Sequence, residues 1–559
     1  MQAGKLCGRP VYVGDRCICH CEKEQIDVNL FRIELDKLLA DEEAEYYDLT
    51  RFVIPLRGYE LPRGFDRDVY FEAATFNGGA DFCDVKFHGV AKFSEAEFLG
   101  LAGFRGAKFR GVADFFKAKF SGEAEFDKAQ FIGEAKFGGA AFSYQASFVK
   151  TEFSAKTSFV RARFRGRAEF IRATFSSEAD FLSVEFSDQV GFRMTGFSGK
   201  AQFGGVKFSV GARFSSVRFY GAAIFTGSEF LGDVNFDAAV FSGLSTFRDA
   251  RFRGNTTFVL AVFRKAVEFR NCSVADNAHL LFDGWEHLVN FPTMFHDDAD
   301  FTAMQCDESS RFIFRKVSLS NCRFLETDVT RIQFTDVVWA LRQSLIEPFA
   351  RKAIRDEFWP DPNWLQWDKS KDEKSDLEPP RFQHNLIAAV YRQLQANYIR
   401  NFQYAEAGDF YIGEQEAMRR ATTRWHPYYW TNWLYRIVSY YGESFLRPFA
   451  WLLLTVLVFP AILLLGGVNL DTNLTSPVPA NATNYDWSWL PSDFLLLRHD
   501  YWDVFWLNLS FVSFDRSIIG RCLFEPYQRG LVVIETVLIV TLVTFFLLAL
   551  RRAFKRKSF

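Results

Sequence analysis

The sequence predicts a β-solenoid followed by an α-helical hairpin and two transmembrane helices. Between Phe71 and Phe269, phenylalanine occupies 37 positions whose spacing alternates between five and six residues, so the full period is eleven. The residue two places before each of them is Ala, Val, Thr or Ser without exception. A repeat this short cannot bury its own apolar face, so successive coils must stack on one another. We predict that Phe and the small residues point inward.

The phenylalanines form two interleaved series, and we predict that both fill the core rather than carry chemistry. One series includes Phe71, Phe148 and Phe269, and the other begins at Phe76. The register relaxes after Phe269, and plain five-residue spacing returns between residues 319 and 339. We predict the last coils there.

The spacing resembles that of the pentapeptide-repeat family, whose A-x-F-x-x units each form one side of a right-handed, four-sided β-helix. The stretch AKFRGVADFFKAKFSGEAEFDKAQF at 107–131 carries the resemblance, although alternate units hold one extra residue. We interpret that residue as a bulge at alternate corners, so that one coil takes two of the eleven-residue periods. Phe71 and Phe269 are then nine coils apart, which gives a length of roughly 40 Å at roughly 4.8 Å per coil. The resemblance implies that residues 61–340 form a quadrilateral β-helix.

The surface charge does not favour nucleic acid as a partner. Pentapeptide proteins that imitate DNA need a strongly acidic surface, whereas residues 71–269 carry 26 Lys and Arg against 21 Asp and Glu. The whole chain of 559 residues has a formal net charge of −2, which gives no general case for binding a polyanion. We expect no nucleic-acid partner, and we expect any partner of the solenoid to be a protein.

Residues 1–60 are predicted to form a Cys-rich N-terminal cap. In LCGRPVYVGDRCICHCEKE, Cys17 and His20 stand three apart, while Cys7 lies beyond a Gly-Arg-Pro turn. These ligand types suit a tetrahedral structural zinc site made by Cys7, Cys17, His20 and Cys21, with Cys19 as the other choice for the fourth ligand. The alternative is a flexible head that carries thiols. The chain opens without a continuous apolar run, so we expect a cytoplasmic N-terminal part without disulfides.

Composition changes after the repeats. Residues 341–380 include FWPDPNWLQWDKSKDEKSDLEPP and are predicted to be a linker. Residues 381–440 show apolar positions at helical spacing, such as Ile387, Val390 and Leu394, and then a second amphipathic stretch. We predict a helical hairpin that connects the solenoid to the membrane.

Residues 441–559 are predicted to enter a bilayer. The segment from Phe449 to Leu465 has no charge, and with residues 466–470 it reaches the ~20 residues that span ~30 Å of hydrocarbon. The second span, Leu531 to Leu550, is apolar apart from Glu535 and three Thr, and RRAFKRK follows it. The positive-inside rule places that basic end in the cytoplasm, so both termini are predicted to be cytoplasmic.

Between the spans, residues 502–520 hold an apolar run that is too short to cross the bilayer. This order of span, short re-entrant helix, loop and span resembles the potassium-channel pore unit over about residues 445–555. The resemblance implies an ion path enclosed by several copies, with a homotetramer as the number by analogy. Channels of this type carry T-V-G-Y-G at the filter. This chain has other residues there, without the paired glycines: Ser513, Phe514, Asp515 and Arg516.

We therefore predict weak ion selectivity rather than potassium selectivity. Asp515, Arg516 and Glu535 are the polar groups nearest the predicted path, and ionisable groups inside spans are functional candidates. For Glu535 the alternative is an interfacial residue that extends its carboxylate toward the headgroups.

Two function classes follow from this organisation. In the first, which the sequence favours, the chain is an oligomeric, weakly selective channel of a bacterial inner membrane, regulated by a cytoplasmic solenoid. In the second, it is a membrane-anchored scaffold whose solenoid binds a partner protein and which conducts nothing. The motifs G-x-x-x-x-G-K-[ST], G-x-S-x-G and H-E-x-x-H do not occur in the sequence, so we predict no enzyme activity.

Overall fold

The computed structural model describes residues 16–20, 27–41, 43–55, 62–284, 294–342, 350–358, 380–465, 501–502, 505–506 and 526–557. The chain divides into two compact units, Met1–Lys371 and Asp372–Phe559. The first unit contains the solenoid, and the second contains five of the six α-helices in the described ranges.

One coil of the solenoid contributes a short strand to each of four parallel sheets. In the coil that starts at Ala91, the strands are Ala91–Lys92, Glu97–Phe98, Ala102–Gly103 and Lys108–Phe109. Each strand pairs with its equivalent in the next coil, so that Ala102 lies opposite Ala124. Contacts between equivalent positions of adjacent coils, such as Glu97 with Lys119, join residues 22 positions apart. The predicted coil of two eleven-residue periods is confirmed.

The four parallel sheets extend along the solenoid for about 12 turns. In the described part of the chain they contain thirteen strands from Tyr46–Asp48 to Cys322–Arg323, twelve from Val53–Ile54 to Gln305–Cys306, twelve from Ala80–Asp81 to Ile332–Thr335, and ten from Gly64–Phe65 to Val262–Phe263. Most of these strands have only two residues. The solenoid therefore begins at residue 46, inside the segment that we predicted as cap.

The interior is a stack of phenylalanine rings. The ring of Phe148 lies parallel to that of Phe126 at 4.9 Å and to that of Phe170 at 4.8 Å, one coil to each side. It also meets the rings of Phe137 and Phe159 edge to face at 5.6 and 5.5 Å. Both arrangements are favourable for aromatic pairs. The predicted ladder residues are all in this interior: Phe71, Phe76, Phe148 and Phe269.

Several small polar residues in the ladder find hydrogen-bond partners inside the core, although the buried hydroxyl of Thr256 does not. The buried hydroxyl of Thr151 donates a hydrogen bond to the carbonyl oxygen of Phe126 at 2.7 Å. Thr195 donates in the same way to Phe170 at 2.6 Å. A buried hydroxyl costs stability only when it lacks a partner. The backbone carbonyls therefore explain why Thr and Ser replace Ala at some of these positions.

The ring stack continues where the sequence register relaxes. Val267 pairs with Ala299, and Asp283 lies opposite Arg315, a separation of 32 positions instead of the usual 22. We call this part of the solenoid the enlarged coil. Even so, the rings of Phe269 and Phe301 lie parallel at 5.1 Å. The break in periodicity is an insertion into the coil rather than an end of the solenoid.

A short helix lies at the N-terminal end of the solenoid. Helix α1 (Val28–Leu39) begins after Asp27, whose side chain accepts hydrogen bonds from the backbone N–H groups of Asn29 and Leu30. Its buried residues are Phe31 and Leu35. The ring of Phe31 meets that of Phe52 in the first coil edge to face at 6.5 Å. The apolar face of α1 therefore covers the first coil.

The C-terminal end is closed by residues that we predicted to be linker. Strands Ala340–Arg342 and Arg351–Ala353 form an antiparallel pair, and a 3₁₀ turn covers Arg355–Phe358. Asp356 in this turn accepts a hydrogen bond from the backbone N–H of Phe324 at 2.9 Å. The linker predicted at 341–380 thus differs from the structure at residues 341–342 and 350–358, because the described residues there pair with each other and pack on the last coils.

Burial of Asp356 makes the stability of this end depend on pH. Burial raises its pKa from 3.8 to about 7, although the hydrogen bond from Phe324 and the charge of Arg323 oppose the shift. Between about pH 4 and pH 7 the folded chain therefore holds a proton that the unfolded chain lacks, and stability falls as pH rises through this window. We expect the urea midpoint to be lower at pH 8 than at pH 5, and Asp356→Asn to reduce this difference. If the urea midpoints of the wild type and of Asp356→Asn change equally between pH 5 and pH 8, Asp356 is not the group responsible.

The second unit contains helices α2 (Pro380–Arg400), α3 (Tyr404–Ala421), α4 (Pro427–Ser439), α5 (Leu446–Leu465) and α6 (Pro526–Lys557). Helices α2 and α3 are the predicted hairpin, and α4 is a third helix within residues 381–440. The hairpin packs closely at Gly413, where a Cβ atom would lie 2.6 Å from the ring of Tyr391. Arg392 and Glu414 also join the two helices by an ion pair of 2.8 Å.

Candidate functional site

In the described ranges, aromatic rings and small side chains fill the interior of the solenoid. The ring stack fills it, and the thiols that it contains are buried, such as Cys272 and Cys322. Burial raises the pKa of both thiols, which removes the reactive thiolate form. Any recognition by this unit must therefore use its outer surface.

The outer surface has a recess beside an exposed aromatic ring. Phe116, Gly138 and Val160 occupy the same position in three successive coils, and the ring of Phe116 lies over Gly138, 3.3 Å from where a Cβ atom would be. The recess that these residues line has a volume of about 460 Å³. One of its walls is the ring of Phe116, which is 45% exposed. We call this feature the notch, and it is large enough for an apolar side chain together with its neighbouring backbone.

Basic side chains surround the notch: Lys117, Lys136, Lys156 and Arg161, with Glu134 as the one acidic residue in the lining. Lys156 lies 3.1 Å from Glu178, and the hydrogen bond between them raises the pKa of Lys156. Lys136 lies 3.6 Å from Glu134. Exposed ion pairs of this kind contribute little to stability, so these lysines can exchange partners at low cost.

The described part of the N-terminal segment brings two predicted zinc ligands together. The Cys17 sulfur lies 3.0 Å from Nδ1 of His20, and Nε2 of His20 lies 3.3 Å from the carbonyl oxygen of Thr50. A ligating His commonly donates its other ring N–H to a backbone carbonyl, and Nδ1, which is in hydrogen-bond contact with the Cys17 sulfur here, would be the nitrogen that binds the metal. Cys7 and Cys21 lie outside the described residues. Within the described ranges, no three His, Cys, Asp or Glu residues are grouped as a metal site.

We propose a structural zinc ion at this position, because the pair and the Thr50 carbonyl fit the pattern of a metal-bound His. We expect elemental analysis of the purified chain to find about one zinc per chain. Cys17→Ser should remove it, whereas Cys83→Ser in the solenoid should not. Zinc-free wild-type protein that still protects residues 16–41 from protease would contradict the proposal.

One helix in the described part of the chain is long and apolar enough to cross a bilayer. It is the segment Gly530–Phe554 of α6, with a mean hydropathy of 2.7. In α5 the corresponding apolar segment is shorter, Leu446–Ile462. One such helix suggests membrane association. The two-span topology that we predicted does not follow from it and stays a prediction.

The predicted filter residues fall outside the described residues: Ser513, Phe514, Asp515 and Arg516. Glu535 is described, and it is only 2% exposed. It lies on the same side of α6 as the buried residues Val532, Ile539 and Leu542. The carboxylate thus belongs to the inward face of the helix, which does not support the alternative of a residue extended toward the headgroups.

A buried ionic cluster connects three parts of the helical unit. Glu416 of α3 lies 2.9 Å from Arg419 and 2.8 Å from Arg436 of α4, and it accepts a hydrogen bond from the hydroxyl of Tyr441 at 3.0 Å. Burial alone would raise the pKa of Glu416, but the two arginines and Tyr441 hold it below its usual value. Arg552 at the end of α6 donates to the carbonyl oxygen of Tyr441 at 3.0 Å. The cluster therefore fixes the basic end of α6 to the other helices.

Sequence reasoning did not find this cluster. Arg419 follows Glu416 by three residues, which is a recognisable helical ion-pair spacing. Tyr441 follows Glu416 by 25 positions, and Arg552 follows Tyr441 by a further 111. No local pattern relates residues at such separations, so only the folded unit shows their association.

Comparison with known proteins supports the repeats alone. A family model described as Pentapeptide repeats (9 copies) matches residues 93–141, 195–240, 214–260 and 225–273. No curated protein and no solved structure gives a significant match. The β-solenoid is therefore built from pentapeptide repeats, while no family match covers the C-terminal helices.

Proposed function

We propose that this chain, a pentapeptide-repeat solenoid with an apolar C-terminal helix, is a membrane-anchored scaffold whose solenoid binds a partner protein. The notch is the observation that carries the proposal. An exposed aromatic ring beside a gap, surrounded by basic side chains, is the arrangement expected of a surface that takes an apolar anchor residue. The filled interior supports the same conclusion because it leaves the surface as the place of recognition.

The charges around the notch indicate the chemistry of the partner. Lys117, Lys136, Lys156 and Arg161 favour a segment with Asp or Glu on both sides of one Phe, Leu or Trp. The apolar side chain would lie against the exposed face of the Phe116 ring. The acidic residues would then replace the exposed partners that some of these lysines now have.

Site-specific photocrosslinking in the source cells tests the proposal. A photoreactive phenylalanine at position 116 should give a discrete adduct with one protein in the membrane fraction. The same group at Tyr220, which is similarly exposed elsewhere on the solenoid, should not. Gly138→Leu should abolish the adduct by filling the notch, and Gly196→Leu is the matched control because nothing lies within 4 Å of a Cβ there. An adduct that persists in Gly138→Leu would exclude the notch as the binding site.

An oligomeric pore is the second candidate, and buried Glu535 favours it. An ionisable side chain on the inward face of an apolar helix is costly in hydrocarbon and commonly belongs to an ion path. On this proposal, four or another small number of copies enclose the path, and charge near residues 515 and 516 tunes selectivity.

Conductance of the reconstituted chain tests the second candidate. We expect small ions to pass with weak selectivity, and Arg516→Glu or Asp515→Lys to shift the preference between cations and anions. A variant deleted before residue 440 removes any gate that the solenoid provides. If that variant assembles as an oligomer yet conducts nothing, the pore proposal fails and the scaffold proposal is unaffected.

A further inference from the structure

Helix α4 carries its apolar side chains on the outside of the helical unit. Trp430 and Leu434 are 56% and 57% exposed, and Trp433 is 38% exposed. Together with the half-buried Ile437, these residues fall within an arc of about 100° around the helix axis, since each residue turns the helix by about 100°. The outer side of α4 is therefore one apolar stripe, which we call the outer stripe.

The opposite side of α4 is polar and faces the other helices. Its two buried residues are Asn432 and Ser439. Arg436, on the same side, lies 2.8 Å from Glu416 of α3. A helix on the surface of a water-soluble protein has the reverse arrangement, with the apolar stripe toward the core and the polar residues toward water. The polarity of α4 therefore indicates that the medium outside it is apolar.

The outer stripe is continuous with the surfaces of α5 and α6. Helix α4 packs on both, and exposed Leu434 lines one groove together with exposed Leu538 of α6. Every exposed side chain of α5 in Leu446–Ile462 is apolar. Those of α6 between residues 531 and 550 are apolar too, apart from two threonines whose hydroxyls donate to carbonyl oxygens of the same helix. Since α6 is long and apolar enough to cross a bilayer, the hydrocarbon around it would also reach the outer stripe.

The C-terminal end of α4 is bonded to α5. Arg447 donates to the carbonyl oxygen of Arg436 at 3.1 Å, and the indole N–H of Trp451 donates to that of Ile437 at 3.3 Å. Carbonyl groups in the last turn of a helix have no partner within the helix and otherwise need water. Because α5 supplies donors to two of them, this end of α4 can lie where water is scarce.

The length of α4 excludes a transmembrane span. Its 13 residues extend for about 20 Å, whereas the hydrocarbon is ~30 Å thick. A short helix with one apolar side lies in the plane of the membrane surface, with that side at the boundary of headgroups and acyl chains. Trp side chains are typical of this boundary, and the outer stripe contains two.

We propose that α4 lies along the surface of the bilayer, with Trp430, Trp433 and Leu434 inserted among the phospholipids of one leaflet. Its polar side then holds the α2–α3 hairpin at that surface through the ion pair of Arg436 with Glu416. The proposal rests on the membrane association included in the proposed function, and it does not depend on whether the solenoid binds a partner.

Fluorescence quenching by nitroxide lipids tests this position in the full chain. An environment-sensitive fluorescent amino acid replaces Trp430 in one protein and Leu434 in a second. Each protein is reconstituted in vesicles of phosphatidylethanolamine and phosphatidylglycerol. The vesicles also contain a phosphatidylcholine whose acyl chain carries a nitroxide near either its glycerol end or its methyl end.

We expect both nitroxide lipids to quench the label at positions 430 and 434. The nitroxide near the glycerol end should quench more, because an interfacial helix inserts its apolar side only about 5–10 Å. Iodide in the aqueous phase should have little effect there. The same label at Tyr220, which is 55% exposed on the solenoid, is the matched control. It should be quenched by iodide and by neither lipid.

Sodium carbonate extraction of the wild type separates failure of this inference from failure of the proposed function. Release of the chain from the membrane would overturn both. Retention of the chain, with iodide quenching of both labels on α4, would overturn the surface position of α4 alone. Labels that neither iodide nor lipid quenches, in a chain that forms a stable dimer, would identify a second copy as the cover of the outer stripe and overturn the proposal. Stronger quenching by the nitroxide near the methyl end would overturn it too, because α4 would then lie within the hydrocarbon.

Discussion

Replacing Phe148 by Ala is expected to lower the free energy of unfolding by about 3–5 kcal/mol. The ring of Phe148 is fully buried and stacks on Phe126 and Phe170 at 4.9 and 4.8 Å. Its removal leaves a ring-sized cavity, and the backbone cannot collapse into it because the paired strands hold neighbouring coils at a fixed spacing. Urea denaturation of the purified chain, followed by circular dichroism of the β signal, measures the loss.

Lys150→Ala is the control for this experiment. Lys150 lies two residues from Phe148, is exposed, and has a φ of 58°. Ala meets the same steric resistance in this left-handed conformation as Lys does, so the substitution should change the midpoint little. Equal losses in Phe148→Ala and Lys150→Ala would refute the inward position of the ring.

Replacing Gly232 by Ala is expected to cost about 3 kcal/mol or more, through a clash between coils. A Cβ at this position would overlap the carbonyl group of Val210 and lie 2.9 Å from its Cα atom. The obstacle is backbone, so relief requires that two stacked coils separate. In urea denaturation, Gly232→Ala should unfold at a markedly lower urea concentration than the wild type.

Gly196→Ala is the matched comparison, because nothing lies within 4 Å of a Cβ there. Both substitutions reduce the freedom of the unfolded chain equally, which by itself stabilises slightly. The difference between the two midpoints therefore isolates the contact between coils. If Gly232→Ala and Gly196→Ala unfold at the same urea midpoint, the backbones of Gly232 and Val210 must lie further apart than the structure places them.

The interior could be predicted from the sequence because one simple rule governs it. Every coil needs a large ring and a small neighbour at fixed positions. The spacing of Phe from Phe71 to Phe269 therefore predicts both the buried residues and the length of one coil. The corners follow a different rule. Lys117, Lys128 and Arg161 have φ values of 54–58°, a conformation usually associated with Gly or Asn. The tight turn imposes this left-handed conformation. Because Lys and Arg rarely adopt it, their presence in the sequence does not predict it.

The ends of the solenoid and the helical sites were less predictable for a related reason. The turn that closes the C-terminal end contains Asp356 and Glu357, both charged residues that are buried in the fold. Asp356 is bonded to the backbone of Phe324, 32 positions away, and Glu357 is paired with Arg351 and Arg342. The contacts of Glu416 with Arg436 and Tyr441 likewise exist only once α3 and α4 are side by side. Periodicity predicts repeated contacts, and it does not predict contacts that occur once.

The enlarged coil has a consequence for how such a protein can change its recognition properties. Its added residues leave the ring spacing between Phe269 and Phe301 at 5.1 Å, close to the 4.8 Å between Phe247 and Phe269 in the preceding coil. The paired strands and the stacked rings set the pitch, and the length of the chain between strands does not. The chain between strands can therefore vary in length by a large amount within one coil while the neighbouring coils keep their positions. A new recognition loop inserted after Gly284 would therefore be held in place by the stacked coils on both sides of it.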